Sequence, residues 1–198
     1  EGPPLTGVSH GIAGIAWALA ELAVATKQDK YLDAAAAGLA YERSLFDGAR
    51  LNWVDLRPEP ETSAPAAKFM WAWCHGAPGI GTARLMMGRV WPEKAIDAEI
   101  AAAVRSTLSN GFGGSHSLCH GDLGNADFLI TAARDLGQPE LLHEALRAGH
   151  QVLGQHKTEG RFRCGVGGFE QTPDFMVGLA GIGYGLLRVA DPGAVPSI

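Results

Sequence analysis

The sequence predicts an all-α protein of stacked helical hairpins, and three observations carry that prediction. A glycine motif, x-G-x-x-G, recurs four times: "SHGIAGIAWAL" from Ser9, "CHGAPGIGTARL" from Cys74, "CHGDLGNADFL" from Cys119 and "VGLAGIGYGLL" from Val177. Each copy runs into apolar residues at helical intervals, and second helices with a one-sided apolar stripe lie between the copies. Continuous β alternation is absent.

Taken in order, the first inner helix carries Ile12, Ile15, Leu19 and Leu22, and Tyr31 to Leu45 forms its partner. The second carries Ile80, Ala83, Met87 and Val90, followed by an outer helix with Ile96, Ile100, Val104 and Leu108. The third carries Leu123, Ala126, Ile130 and Ala133, followed by Leu142, Leu146 and Leu153 on a helix opened by Pro139. Small residues crowd the inner helices, as close packing on all sides requires. Polar, Pro- or Gly-rich loops are expected over Asp47 to Pro65, Ser109 to Ser117 and Lys157 to Asp174. Stacked hairpins make either an open superhelix or a closed α/α toroid. Because every glycine motif precedes an inner helix, the motifs gather at one end, which favours the toroid with a site at that end. The glycines themselves serve mainly positive φ or close helix approach. A phosphate cradle is disfavoured, with no strand before the motif and no Lys-Ser/Thr after it.

At 198 residues the chain can bury one sizeable core, and 46% hydrophobic with 19% charged residues excludes a disordered chain. The net charge of −5, with both signs interspersed, gives no footprint for nucleic acid. The longest apolar stretch, Gly11 to Ala25, contains Glu21 and falls short of the ~18 residues of a membrane span. Three widely spaced cysteines are a poor disulfide framework and fit a reducing, cytoplasmic setting. The opening "EGPPLTG" has neither a methionine nor a leader pattern, so residues 1–198 are expected to be one domain cut from something longer.

If equivalent loops meet, so do equivalent residues. The position before each first glycine holds His10, His75, His120 and Val177, and the one before that Ser9, Cys74, Cys119 and Met176. Thiolate and imidazole are zinc ligands, and a helix start lowers a cysteine pKa. Cys74, Cys119 and His120 are the natural three, which leaves a coordination position open. Cys164 could close the site as a fourth ligand, but it lies outside the repeat register and reads as a packing cysteine. His75 shares a turn with Cys74 and reads as supporting or substrate-facing, as does Asp122. His116 could orient the ligand loop by hydrogen bonding. His143, His150 and His156 read as solvated, and Trp53, Phe69, Trp71 and Trp73 as packing.

"WCHGAPGIG", "HSLCHGDLGN" and "VGLAGIGYGLLRVADPGAVPS", with "SHGIAGIAWAL" and "LNWVDLR", resemble the LanC-like cyclases over almost the whole chain. The likeness is strongest to the C-terminal cyclase domain of class II (LanM-type) lanthipeptide synthetases. That resemblance implies an α/α toroid of seven hairpins, of which about four are here, and one zinc on two cysteines and a histidine. The matching positions are Cys74, Cys119 and His120. It further implies addition of a peptide cysteine thiolate to dehydroalanine or dehydrobutyrine in a dehydrated precursor peptide, giving (methyl)lanthionine rings. His10, in the first His-Gly motif, takes the acid/base role. An upstream dehydratase domain is the implied partner. The family's acidic partner of that histidine has no counterpart here, since it would precede residue 1. Two other readings compete: a zinc-bound scaffold that holds peptide or glutathione-like thiols without ring closure, and another α/α toroid class, such as a prenyltransferase subunit or a glycosidase. A glycosidase needs paired inward carboxylates, and Asp55, Asp122 and Asp127 show no matching pair.

Overall fold

The structure, a computed structural model, describes residues 2–58 and 68–198. Among them the chain is all-α as expected: α1 (Ile12–Thr26), α2 (Asp29–Arg43), α3 (Ala77–Val90), α4 (Lys94–Asn110), α5 (Asp122–Leu136), α6 (Pro139–Glu159) and α7 (Leu179–Ala190). A two-residue antiparallel pair, β1 (Phe46–Asp47) and β2 (Asn52–Trp53), sits in the loop expected over 47–65. The part of that loop beyond Pro58 lies outside the described residues. The chain forms two compact units, Glu1–Met70 with Cys74–Ser106, and Trp71–Trp73 with Thr107–Ile198.

In the first unit α1 and α2 form a hairpin and α3 packs on α1. The expected stripe on α1 is displaced: Ala13, Ala16 and Ala20 are buried, whereas Ile15 is 55% and Leu22 38% exposed. Alanine permits the closest helix approach, so the small residues define the contact face and the large ones fall on the opposite side. From Ala77 to Leu85, α3 is buried all round. An ionic network crosses these helices. Arg84 and Glu42, both fully buried, pair at 2.7 Å, and Glu99 accepts from Arg84 Nε and Arg43 Nε at 2.5 Å each. Glu42 also receives the Gly7 N–H at 3.0 Å, which ties the loop before α1 to this network.

In the second unit α5 and α6 form a hairpin joined through Gly137, a left-handed helix stop at φ 65, with Pro139 in the first turn of α6. The buried face of α6 is Leu141, Ala145, Ala148, Gly149 and Val152, one position round from the expected Leu142, Leu146 and Leu153; Leu153 is 39% exposed. Gly149 explains the shift, since its bare Cα lets Val189 of α7 approach. α5 is buried from Asp122 to Ala132, and Asp127 within it pairs with Arg188 of α7 at 2.7 Å. α6 also runs to Glu159, three residues into the loop expected from Lys157.

The repeat is visible in how the inner helices start. None has a side-chain cap from its own Ncap residue. Instead the preceding loop doubles back: Ile12 N–H donates to Leu5 O, Asp122 N–H to Ser115 O and Leu179 N–H to Thr172 O, at 2.8–2.9 Å, each seven residues earlier. The glycine pair makes this possible. A Cβ at Gly124 would overlap the Leu118 carbonyl oxygen, and one at Gly14 or Gly181 the carbonyl of Val8 or Phe175.

Candidate metal centre

Cys74, His75 and Gly76 form the turn before α3. Gly76 has φ 94, and a Cβ there would overlap the Met70 carbonyl oxygen, so only glycine fits. Asn52 of β2, fully buried, replaces the doubled-back loop: its Oδ1 accepts Ala77 N–H at 2.8 Å and its Nδ2 donates to Met70 O at 3.0 Å. His75 is buried, with Nδ1 3.2 Å from Thr6 O; a carbonyl only accepts, so Nδ1 carries the proton. Burial first, and then the nearby Arg57 guanidinium, push its pKa below the usual imidazole range. Arg57 is itself clamped on the buried Asp55 carboxylate at 2.6–3.1 Å. His10 is exposed, with its ring centroid 6.2 Å from that of His75. Ser9 N–H donates to Cys74 O at 3.2 Å, which seats the His10 loop against the cysteine turn.

Cys119, His120 and Gly121 form the turn before α5. Cys119 N–H donates to Met176 O at 2.9 Å. His120 Nε2 lies 2.6 Å from Gly165 O, so that nitrogen bears the proton and Nδ1 is left with the lone pair. His116 is fully buried with both ring nitrogens engaged, by Gln155 Oε1 at 2.7 Å and by Arg163 N–H at 3.1 Å. Asp122, 1% exposed in the first turn of α5, accepts Gly113 and Gly114 N–H through Oδ1. Burial raises its pKa, against the pull of those two donors.

The ligand atoms of Cys74, Cys119 and His120 all lie within 4.8 Å of one another, a group able to hold a metal ion. Two thiols and an imidazole already fixed in its Nδ1-acceptor form suit zinc. None of the three cysteines forms a disulfide. Cys164 is fully buried and does not belong to this group. Nor do His10, His75, His116 or Asp122 belong to it. His156, expected in solvent, stacks on Phe162 at 4.0 Å, while Trp53 is buried against Phe46.

Three contributors carry no chemical signal in the sequence: Asn52, Gly165 and Gln155. Asn52 sits inside "LNWVDLR", and Gly165 follows Cys164 in "RFRCGVGGF". Only the long-range hydrogen bonds reveal them.

The family profile for lanthionine synthetase C-like proteins matches residues 1–198. The chain belongs to the lanthionine synthetase C-like family. It is 28% identical over 192 residues to the lacticin 481/lactococcin biosynthesis protein LcnDR2 of Lactococcus lactis subsp. lactis, covering 91% of this chain and 20% of that protein. Nisin cyclase shares the fold at a TM-score of 0.72 and 19% identity, over 98% of this chain and 48% of the other. The chain therefore spans about a fifth of the length of the one relative and half of the other. Among the described residues, no helix is long and apolar enough to cross a membrane.

Proposed function

We propose that the chain is the C-terminal part of the cyclase domain of a class II lanthipeptide synthetase, and that Cys74, Cys119 and His120 hold its zinc. The single observation that carries this reading is the two-thiol, one-imidazole group within 4.8 Å in a LanC-like chain. The substrate is a dehydrated precursor peptide delivered by an upstream dehydratase. Zinc bound there, with three protein ligands, supplies a position at which a peptide cysteine is held as thiolate.

The residues of this chain do the rest. Gly165 O keeps the His120 imidazole in one tautomer. The loop bearing His10 is held against the Cys74 turn through Ser9 N–H and tied to α2 through the Gly7 N–H on Glu42. The thiolate sulfur forms a bond to the β-carbon of the dehydro residue, and the π electrons move onto the carbonyl oxygen as an enolate. That bond closes the ring, and exposed His10 then gives the α-carbon a proton in place of the one the thiol lost, completing the thioether. Buried His75 stands beside it, its Nδ1 on Thr6 O and its ring centroid 6.2 Å from that of His10.

The test is metal analysis and ring formation on a dehydrated peptide by the full-length protein, comparing wild type, Cys119→Ala and His10→Ala. Cys119→Ala is expected to lose zinc and ring closure. His10→Ala is expected to keep zinc and to slow ring closure by about 100-fold. Zinc retained in Cys119→Ala at the wild-type level would remove the ligand assignment.

A further inference from the structure

We propose that His116 is a positioning residue that decides which imidazole nitrogen of His120 faces the metal; the proposal rests on the zinc site inferred above. His116 builds a two-rung ladder with Arg163. Its backbone N–H donates to Arg163 O at 2.7 Å, and its Nδ1 accepts Arg163 N–H at 3.1 Å. Because Nδ1 receives a proton donor, the neutral ring carries its hydrogen on Nε2, which donates to Gln155 Oε1 of α6 at 2.7 Å. Burial, the largest influence, holds the imidazole pKa down against the Gln155 bond and so favours this neutral form. Phe162 stands edge-on to the ring at 6.0 Å.

The ladder fixes residue 163, and two residues on Gly165 faces His120. Gly165 N–H donates to Val177 O at 2.7 Å, and its carbonyl accepts the His120 Nε2 hydrogen at 2.6 Å. The fit leaves no slack: a Cβ at Gly165 would come within 2.7 Å of Ser117 Oγ and 2.8 Å of His120 Nε2. A run from α6 through Gln155, His116, Arg163 and Gly165 thus ends on the ligand imidazole. It commits Nε2 to donation and Nδ1 to the metal. The requirement at position 116 is a buried acceptor where Nδ1 sits. The donor toward Gln155 holds the ring but is one step removed from the ladder.

That asymmetry yields a test a general packing role would not pass. Asparagine places Oδ1 where Nδ1 stands, and so keeps the rung to Arg163. Glutamine reaches toward Gln155 and leaves the Arg163 N–H unanswered. In the full chain, zinc affinity measured by competition with a chromophoric chelator is expected to fall about 10–100-fold in His116→Gln and to stay within about threefold of wild type in His116→Asn. Thermal unfolding of both variants runs alongside. Nitrogen-15 NMR of the zinc-loaded wild type is expected to show metal on Nδ1 of His120. The proposal is overturned by wild-type zinc affinity in His116→Gln, by equal losses in both variants that track their stability, or by metal on Nε2. Failure of the zinc reading looks different: wild type and His120→Ala would then bind zinc equally.

Discussion

Two turns in this protein share the sequence Cys-His-Gly and differ in almost everything else. At 74–76 the glycine is at φ 94, the histidine is buried with Nδ1–H on Thr6 O, and the helix start is capped by Asn52 from a distant strand. At 119–121 the glycine is at φ −137, the histidine is half-buried with Nε2–H on Gly165 O, and the helix start is capped by its own loop. The cysteine joins the metal group in both, the histidine only in the second. Backbone conformation at the glycine, and the carbonyl that each imidazole meets, therefore decide which copy of a repeated motif delivers one ligand and which delivers two.

The largest expected effect comes from breaking the first turn. Gly76→Ala, at a φ that only glycine adopts and against the Met70 carbonyl, is expected to cost about 4 kcal/mol in chemical denaturation. Gly121→Ala is expected to cost less, because its φ suits any residue and only the Ser115 loop must shift. Asn52→Ala strands the Ala77 N–H and the Met70 carbonyl, an expected loss of about 2 kcal/mol with no counterpart at the second turn. Gly165→Ala acts on the second turn alone: zinc affinity is expected to drop about tenfold while the unfolding midpoint moves little.

The smallest effect sharpens the surroundings of His75. Burial drives the Asp55 carboxyl upward, but the Arg57 hydrogen bonds outweigh it and leave the pKa below the ordinary carboxylate value. Such a group contributes stability above its unfolded pKa and loses it as pH falls through its folded value. Asp55→Asn is therefore expected to flatten the acid limb of a melting-temperature profile, by less than about 1 kcal/mol for a pair whose arginine is one-third exposed.

The helices, their order and the likeness of three of the four loops were legible in the sequence, because the glycine motif and the apolar spacing repeat together; the departure of the Cys74 loop, with Asn52 in place of a doubled-back segment, was not. The packing faces of α1 and α6 were not. Counting large apolar residues points to Ile15, Leu22 and Leu153, whereas contact is made through Ala13, Ala16, Ala20, Ala148 and Gly149, whose small size is what lets neighbours close in. Register placed Cys74, Cys119 and His120 at equivalent loop positions and set His75 aside as a supporting residue, but it could not say what holds the two imidazoles in different roles. Their separation depends on Thr6 O and Gly165 O, long-range acceptors that no local pattern announces. His156 escaped for a different reason: it stacks on Phe162, which lies just beyond the end of α6, where helical spacing no longer applies.

The most direct measurement of the asymmetry between the two turns is zinc content and affinity of His120→Ala beside His75→Ala, in the same full-length protein. The geometry predicts that His120→Ala loses the metal while His75→Ala binds it as wild type does. Loss of zinc in His75→Ala with retention in His120→Ala would contradict the account.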